Sequence, residues 1–480
     1  MTSVYLDVAV ESIQAYLSRT TDLKGRRGAS AWLSDLTDRD ELRQRLQENS
    51  DGWAAGVSVN DEAGEADGVV PLKLTPGCSP QDVAEAVFAQ LRGKLPALRM
   101  TATWATADTY IAAHRRMPDR GDDPAAGNDA GHLDSLPAPG DFPLLVSCEQ
   151  CRADPRVTHR DLHERKQVPM CADCAGRYED RYRQPGLHTG AVPVNAESRL
   201  LKALGLTPKN VVETFADLAE IPGPSRKHNH LATVFADGNA MGALFRDVLA
   251  TGDDELKRRV SKEVSQATRD ALVAATRAAI AVDQQPQRMP VIPHVVGGDD
   301  LLVSVTADRA WPFVRGYLTA FGERMQRIAD EAELPRPSAS AGMVFAHHTF
   351  PFRRCVELAE QALRHAKQAH HGQTAAVSWL DITRDGEQRP PGRAAWTLPE
   401  LTDRADWLTD LAEMEQSAKA ALERLAGGGG DGSEQVRRAR IANQASRLQL
   451  DGLRSASDLL DASGGPDRLV DALSLVRWWQ

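Results

Sequence analysis

Nine residues constrain this chain more than any others: Val295-Val296-Gly297-Gly298-Asp299-Asp300-Leu301-Leu302-Val303. Two short apolar runs flank four residues suited to a tight turn. The pattern predicts a β-hairpin in which glycines supply positive φ and two carboxylates stand at the tip. Adjacent aspartates repel one another and lose hydration at such a turn, so the arrangement is costly unless a cation compensates. Mg2+ takes oxygen ligands of this kind and often shares them with a substrate phosphate. The plain alternative is a solvated turn.

A third carboxylate lies upstream. Leu231 to Ala236 reads as a buried strand, Asp237 ends it, and Gly238-Asn239-Ala240-Met241-Gly242 opens a helix. A carboxylate at a strand's carboxyl end beside a hairpin carboxylate suits two-metal nucleotidyl transfer, in which the ions sit ~3.5–4 Å apart. Gly238 and Gly242 would let a triphosphate approach the backbone, and amides at the helix start would help hold its charge.

Cys148-x-x-Cys151 and Cys171-x-x-Cys174 form a second motif. Each pair closes a knuckle that aims two thiolates at one ion, and four complete a tetrahedron at ~2.3 Å per Zn–S bond. The site has no open position, so its zinc is expected to be structural. Cys78 and Cys355 are left over and read as core residues.

The order Asp237-Gly-x-x-Met241-Gly, Gly297-Gly-Asp-Asp300, Ser340-Ala-Gly342 and Ala359 to Lys367 resembles the second palm domain of the large, polymerase-like subunit of type III CRISPR effector complexes. That domain is related to the diguanylate-cyclase palm. The run from Val10 to Ser34, with its basic loop of Arg19, Lys24, Arg26 and Arg27, resembles the opening of the same subunit. This loop could meet RNA or nucleotide phosphates, or simply be solvated. The resemblance implies an α+β chain of two ferredoxin-like palm domains, an intervening zinc ribbon and a C-terminal helical domain. The corresponding division is 1–117 first palm, 118–184 linker and ribbon, 185–229 helical connection, 230–382 second palm and 383–480 helical domain.

The resemblance also implies a site. Asp237, Asp299 and Asp300 would be catalytic and hold two Mg2+ or Mn2+ ions. Gly238, Asn239, Met241, Gly242, Gly297, Gly298, Ser340, Gly342 and Lys367 would bind the nucleotide. By spacing alone Lys367 is an ordinary surface lysine near the end of the helix Phe352–His371, off the face made by Cys355, Leu358, Ala359, Ala362, Leu363 and Ala366. The implied activity is conversion of ATP or another NTP into a cyclic oligonucleotide second messenger for antiviral defence. Guide and target RNA and sister subunits are the implied partners, met through local basic surface and the C-terminal helices. Two other readings are a non-catalytic RNA-binding scaffold and a stand-alone cyclic-dinucleotide synthase. Where the family usually has Asp-Gly-Asp, this chain has Asp237-Gly238-Asn239, which keeps a neutral oxygen but lowers the site's charge. The family often carries an N-terminal nuclease domain with adjacent His-Asp ligands. No His-Asp dipeptide occurs here, so no such nuclease activity is expected.

Composition narrows the rest. A net charge of −10 argues against a protein that coats nucleic acid nonspecifically. No apolar run approaches the ~20 residues of a membrane span, the first residues do not form a signal peptide, and paired cysteines suit a reducing compartment. A cytoplasmic location is the expectation. The absence of a Gly-x-x-x-x-Gly-Lys-Ser/Thr loop removes the common ATPase reading. Residues 118–140, Pro222, Pro224 and Gly427 to Gly432 read as breaks or connections. The terminal Trp478-Trp479 is expected to pack against the body.

Overall fold

The computed structural model describes all residues except 1, 21, 65–67, 119–129, 137–145, 163–164, 179–195, 222–228, 282–287, 333–336, 428–433, 448–459, 461–463 and 480. Pro222, Pro224 and the run Gly428 to Gly432 therefore lie outside the described residues.

The first sheet contains β1 (Ser3–Val10), β2 (Val57–Val59), β3 (Val69–Leu74), β4 (Met100–Ala107) and β5 (Ala130–Ser135) in the order β2-β3-β1-β4-β5, every neighbouring pair antiparallel. Its first four strands and the helices Leu23–Thr37 and Pro80–Lys94 reproduce the expected ferredoxin-like arrangement. Alternation along β1 sends Leu6, Val8 and Val10 into the core with Trp32, Leu33, Val87 and Phe88 of those helices. Turns over residues 51–56 confine β2 to Val57–Val59. One expectation changes. The 118–140 connection contains β5, which pairs with β4 along Met100↔Ser135 to Ala105↔Ala130. That short polar segment has little strand propensity of its own. The unpaired edge of β4 supplies the hydrogen bonds.

The ribbon follows, with β6 (Thr158–Leu162) and β7 (Arg165–Met170) paired antiparallel. It is bolted to the first palm by Asp173, between the second pair of cysteines. Asp173 accepts from Tyr16 Oη at 2.7 Å and Ala97 N at 3.2 Å, and it pairs with the fully buried Arg177 at 2.9 Å.

The second sheet contains β8 (His230–Gly238), β9 (Val291–Gly297), β10 (Asp300–Thr306), β11 (Ala339–His347), β12 (Ala376–Asp381) and β13 (Trp396–Thr397), ordered β13-β12-β11-β8-β10-β9. Only β11 and β12 run parallel. β8 is central, and both its faces are covered. Val234 and Ala236 face the helices Asp254–Ala281 and Ala310–Ala332, whereas Phe235 faces the helix Phe352–Ala369. Cys355, Leu358, Ala359, Ala362, Leu363 and Ala366 of the last helix are buried, as its spacing predicts. The residues after 382 do not make a separate core: Leu408, Leu422, Leu469 and Trp479 join the cluster that fills the second palm. Trp478 stacks on Phe345 at 5.5 Å and donates to Asp381 Oδ2 at 2.8 Å, so the terminal tryptophans do pack on the body. Among the described residues, no helix is long and apolar enough to cross a membrane.

Two residues of the basic loop, Arg26 and Arg27, depart from both of its expected readings. Arg26 is buried, donates to Thr20 O at 2.9 and 3.0 Å and lies 3.7 Å over the Phe352 ring. Burial pushes its guanidinium down to about 9. Arg27 makes a two-pronged pair with buried Glu197, both arms at 2.7 Å. Arg19 pairs with Asp154 of the ribbon, and Lys24 lies 4.0 Å from Glu213. A ring face and a carboxylate elsewhere in the chain recruit Arg26 and Arg27 inward, where each contact is worth more than at the surface, whereas Lys24 stays partly exposed.

Candidate active site

Strand periodicity assembles the carboxylates. Side chains alternate across a sheet, so Asp237 emerges on the Phe235 face of β8 and Asp300 on the Leu302 face of β10. The pairing Leu301↔Ala236 places these strand ends side by side, and both carboxylates sit on the face covered by the helix Phe352–Ala369. The hairpin turn is tighter than the four residues the sequence suggests. Gly297 and Asp300 are already paired, leaving Gly298 and Asp299 as the loop. Of these Gly298 has φ +56, the left-handed region that glycine enters at no steric cost. Thr268 Oγ1 donates to Gly298 O at 2.7 Å and pins the turn to the helix Asp254–Ala281.

Asp299 leans over the start of the neighbouring loop, where a Cβ on Gly238 would lie 2.7 Å from Asp299 Oδ2. A side chain at 238 would also meet Met241 Cγ at 2.4 Å, so glycine there lets Asp299 and Met241 keep their places. Burial pushes the Asp299 carboxyl up to about 8 and Asp300 up to about 7, and the charge of Asp237 adds to both shifts. Lys367 and Gln14 act the other way on Asp300. Lys367 Nζ donates to Asp237 Oδ2 at 2.5 Å and Gly238 O at 2.8 Å, so the lysine that spacing left on the surface is a member of the site. Three crowded carboxyl groups served by a single ammonium match what a divalent cation would relieve. Their oxygens are more spread than the ribbon thiols. Among the described residues the single set of possible ligands all within 4.8 Å of one another is Cys148, Cys151, Cys171 and Cys174. That spacing and chemistry fit one tetrahedral zinc.

These shifts have a pH consequence. The folded carboxyl pKa values lie above the unfolded ones, so the fold binds extra protons between about pH 4 and pH 8 and loses stability as pH rises through that window. A divalent ion bound by these carboxylates would remove this penalty. The rise in melting temperature caused by Mn2+ should be larger at pH 8.5 than at pH 6, and equal rises would contradict the placement of the acids.

The remaining predicted residues divide. Gly238, Gly242, Gly297 and Gly298 line the loop and turn. Met241 is buried at the start of the helix Met241–Thr251, which Ala240 enters with φ 57. Asn239 is turned into the fold: its Nδ2 donates to Ser338 Oγ at 2.8 Å and Thr374 O at 3.0 Å, and its buried Oδ1 has no hydrogen-bond partner among the described residues. It stitches two loops together instead of facing the aspartates. Ser340 is fully buried, and its Oγ accepts from Ala376 N at 3.3 Å. Gly342 faces the helix Phe352–Ala369, where a Cβ would lie 2.1 Å from Ala359 O and 2.3 Å from Leu363 N. Both are packing positions, not an open nucleotide surface. Gly342→Ala should cost about 3 kcal/mol by overpacking, read as a lower midpoint in denaturant with an unchanged slope.

Sequence reasoning missed Gln14, whose Nε2 donates to Asp300 Oδ2 at 3.0 Å across 286 positions. A lone glutamine in a short helix carries no local signal. Beside the hairpin a cavity of about 550 Å³ opens between the palms, its lining including Gln14, Ser30, Arg199, Ser265, Arg269 and Asp300.

Residues 230–375 match a family model described as Cas10/Cmr2, second palm domain. No curated protein matches the sequence. Solved structures with the same fold include Csm1 from T. onnurineus, at 13% identity and a TM-score of 0.56, covering 99% of this chain and 69% of that one. A Csm1–Csm4 cassette in complex with cA4 matches at 13% identity with a TM-score of 0.54, and one in complex with pppApApA at 13% with 0.55, each covering 99% of this chain and 69% of the other. At such identity these likenesses establish the fold, and the family match rests on residues 230–375. Residues 230–375 thus form a Cas10/Cmr2-type second palm, set within a chain that shares the fold of Csm1.

Proposed function

We propose that the chain is a palm-type nucleotidyltransferase that converts ATP, or another NTP, into a cyclic oligonucleotide second messenger for CRISPR-linked antiviral defence. The observation that carries this reading is the convergence of Asp237, Asp299 and Asp300 at one end of the sheet, with Lys367 bound to Asp237. The palm match and the nucleotide-bound cassettes of similar fold support it.

Two Mg2+ or Mn2+ ions held by the three aspartates would neutralise phosphate charge and polarise the attacking hydroxyl. The chain's own groups position the reactants. Lys367 would exchange Asp237 for a phosphate oxygen as substrate enters, and the backbone at 238–242 would lie along the triphosphate. The cavity between the palms offers room for a second nucleotide. A hydroxyl of one nucleotide attacks the α-phosphorus of the other. The P–O bond to the β-phosphate breaks, pyrophosphate departs, and the hydroxyl proton passes to solvent.

The test is incubation of purified protein with labelled ATP and Mg2+ or Mn2+, with and without target RNA, with products identified by mass spectrometry. Release of pyrophosphate with a cyclic product supports the assignment. One observation favours a non-catalytic scaffold: Asn239 is tied into the fold and leaves the site with fewer acidic ligands than the family pattern. A scaffold would show no Mg2+-dependent affinity for ATP, which separates the two readings.

A further inference from the structure

The hydrogen bond from Gln14 to Asp300 ends a chain of connections that starts in the cysteine ribbon and runs through the short helix Ile13–Leu17. Asp173 lies between Cys171 and Cys174 in sequence, and its Oδ1 accepts from Tyr16 Oη at 2.7 Å in a fully buried contact. Arg177, itself paired to Asp173, donates to Tyr16 O at 3.0 Å and lies 4.3 Å over the Tyr16 ring. The helix Ile13–Leu17 is thereby clamped at both the ring and the backbone of Tyr16, two residues beyond Gln14. A helix of five residues has no stability of its own, so its position is set by such anchors. Gln14 then spans the seam between the palms to reach Asp300 Oδ2.

We propose that Gln14 is a positioning residue for the Asp300 carboxylate, held in place by the cysteine ribbon through Tyr16 and Asp173. This rests on the reading of Asp300 as a metal ligand. The amide donor occupies one Oδ2 lone pair and restrains the carboxylate, so that Oδ1 would be left to hold the ion. Partners of this kind, one bond behind a metal ligand, typically change metal affinity 10–100-fold when removed. The first palm, which lacks a Gly-Gly-Asp-Asp of its own, thereby contributes to the metal site of the second.

The test measures Mn2+ binding to the full-length, zinc-loaded protein by calorimetry, without nucleotide. Gln14→Met keeps the side chain's length and removes the donor, and should weaken Mn2+ about tenfold. Tyr16→Phe removes only the hydroxyl that anchors the helix and should weaken it in the same direction. The double variant should lose no more than Gln14→Met alone, because both act through one contact. Zinc content and the melting temperature of the metal-free protein report whether the variants fold. If both variants fold, keep their zinc and bind Mn2+ as the unaltered protein does, Gln14 does not position Asp300 and the proposal falls. Equal, additive losses would also overturn it, because the two residues would then act separately. If the unaltered protein shows no Mn2+ binding that Asp300→Ala removes, the reading of Asp300 as a ligand falls first and takes the proposal with it.

Discussion

Replacing Asp299 and Asp300 together with alanine should abolish product formation, a loss of about a thousandfold or more, while leaving the metal-free protein folded and more stable. The two effects have one cause. Both carboxyls are largely removed from water and pressed against Asp237, which is why burial holds them well above the usual carboxylate range. At neutral pH that crowding opposes folding, and deleting the acids relieves it. The same crowding makes the site receptive to divalent ions, whose contribution to phosphoryl transfer is large because charge develops in a region poor in water. Activity with labelled ATP and thermal unfolding in chelator-treated buffer check the two halves together. A double variant that still forms product would remove the hairpin from the chemistry. One that unfolds more readily would mean that the contacts of Gln14 and Lys367 with the acids outweigh the crowding.

The second large effect concerns the ribbon. Replacing Cys148 and Cys171 with serine should reduce bound zinc from about one per chain to none and lower the melting temperature on the order of 10 °C, the size expected when several kcal/mol are removed from a domain of this length. The four thiols converge on one point, and Cys174 N donates to Cys171 Sγ at 3.3 Å, an amide contact that favours the thiolate. Without a bound ion those thiolates would repel and the knuckles would open. The damage spreads because the ribbon's Asp173 and Arg177 are fully buried against the first palm, and exposing one partner of a buried pair strands the other. Elemental analysis and a thermal scan measure both numbers. Retention of zinc by the variant would place the metal elsewhere.

Local signals carried much of this protein. The strand-turn-strand at Val295–Val303, the paired cysteines and the apolar face of the helix Phe352–Ala369 were all legible, because each is set by a turn, a knuckle or a helical period within a few dozen residues. The ferredoxin-like order of the first palm was implied by the family resemblance, and the strand order bears it out. Other features depended on partners far along the chain. β5 exists because β4 offers an edge, and its own residues are those of a connection. Arg26 and Arg27 read as solvated or phosphate-facing cations until Phe352 and Glu197 draw them inside. Ser340 and Gly342 belong to the family pattern, but their burial against the last strand and helix gives them packing roles.

The sequence by itself determined which acids and thiols this protein has and which short elements present them, since turn geometry and side-chain period are local properties. Only the tertiary structure decided which of those groups meet. Strand register put Asp237 beside Asp300, helix docking brought Lys367 to Asp237, and the seam between the palms brought Gln14 to Asp300. Each meeting joins residues tens to hundreds of positions apart, and nothing in either local stretch encodes the other.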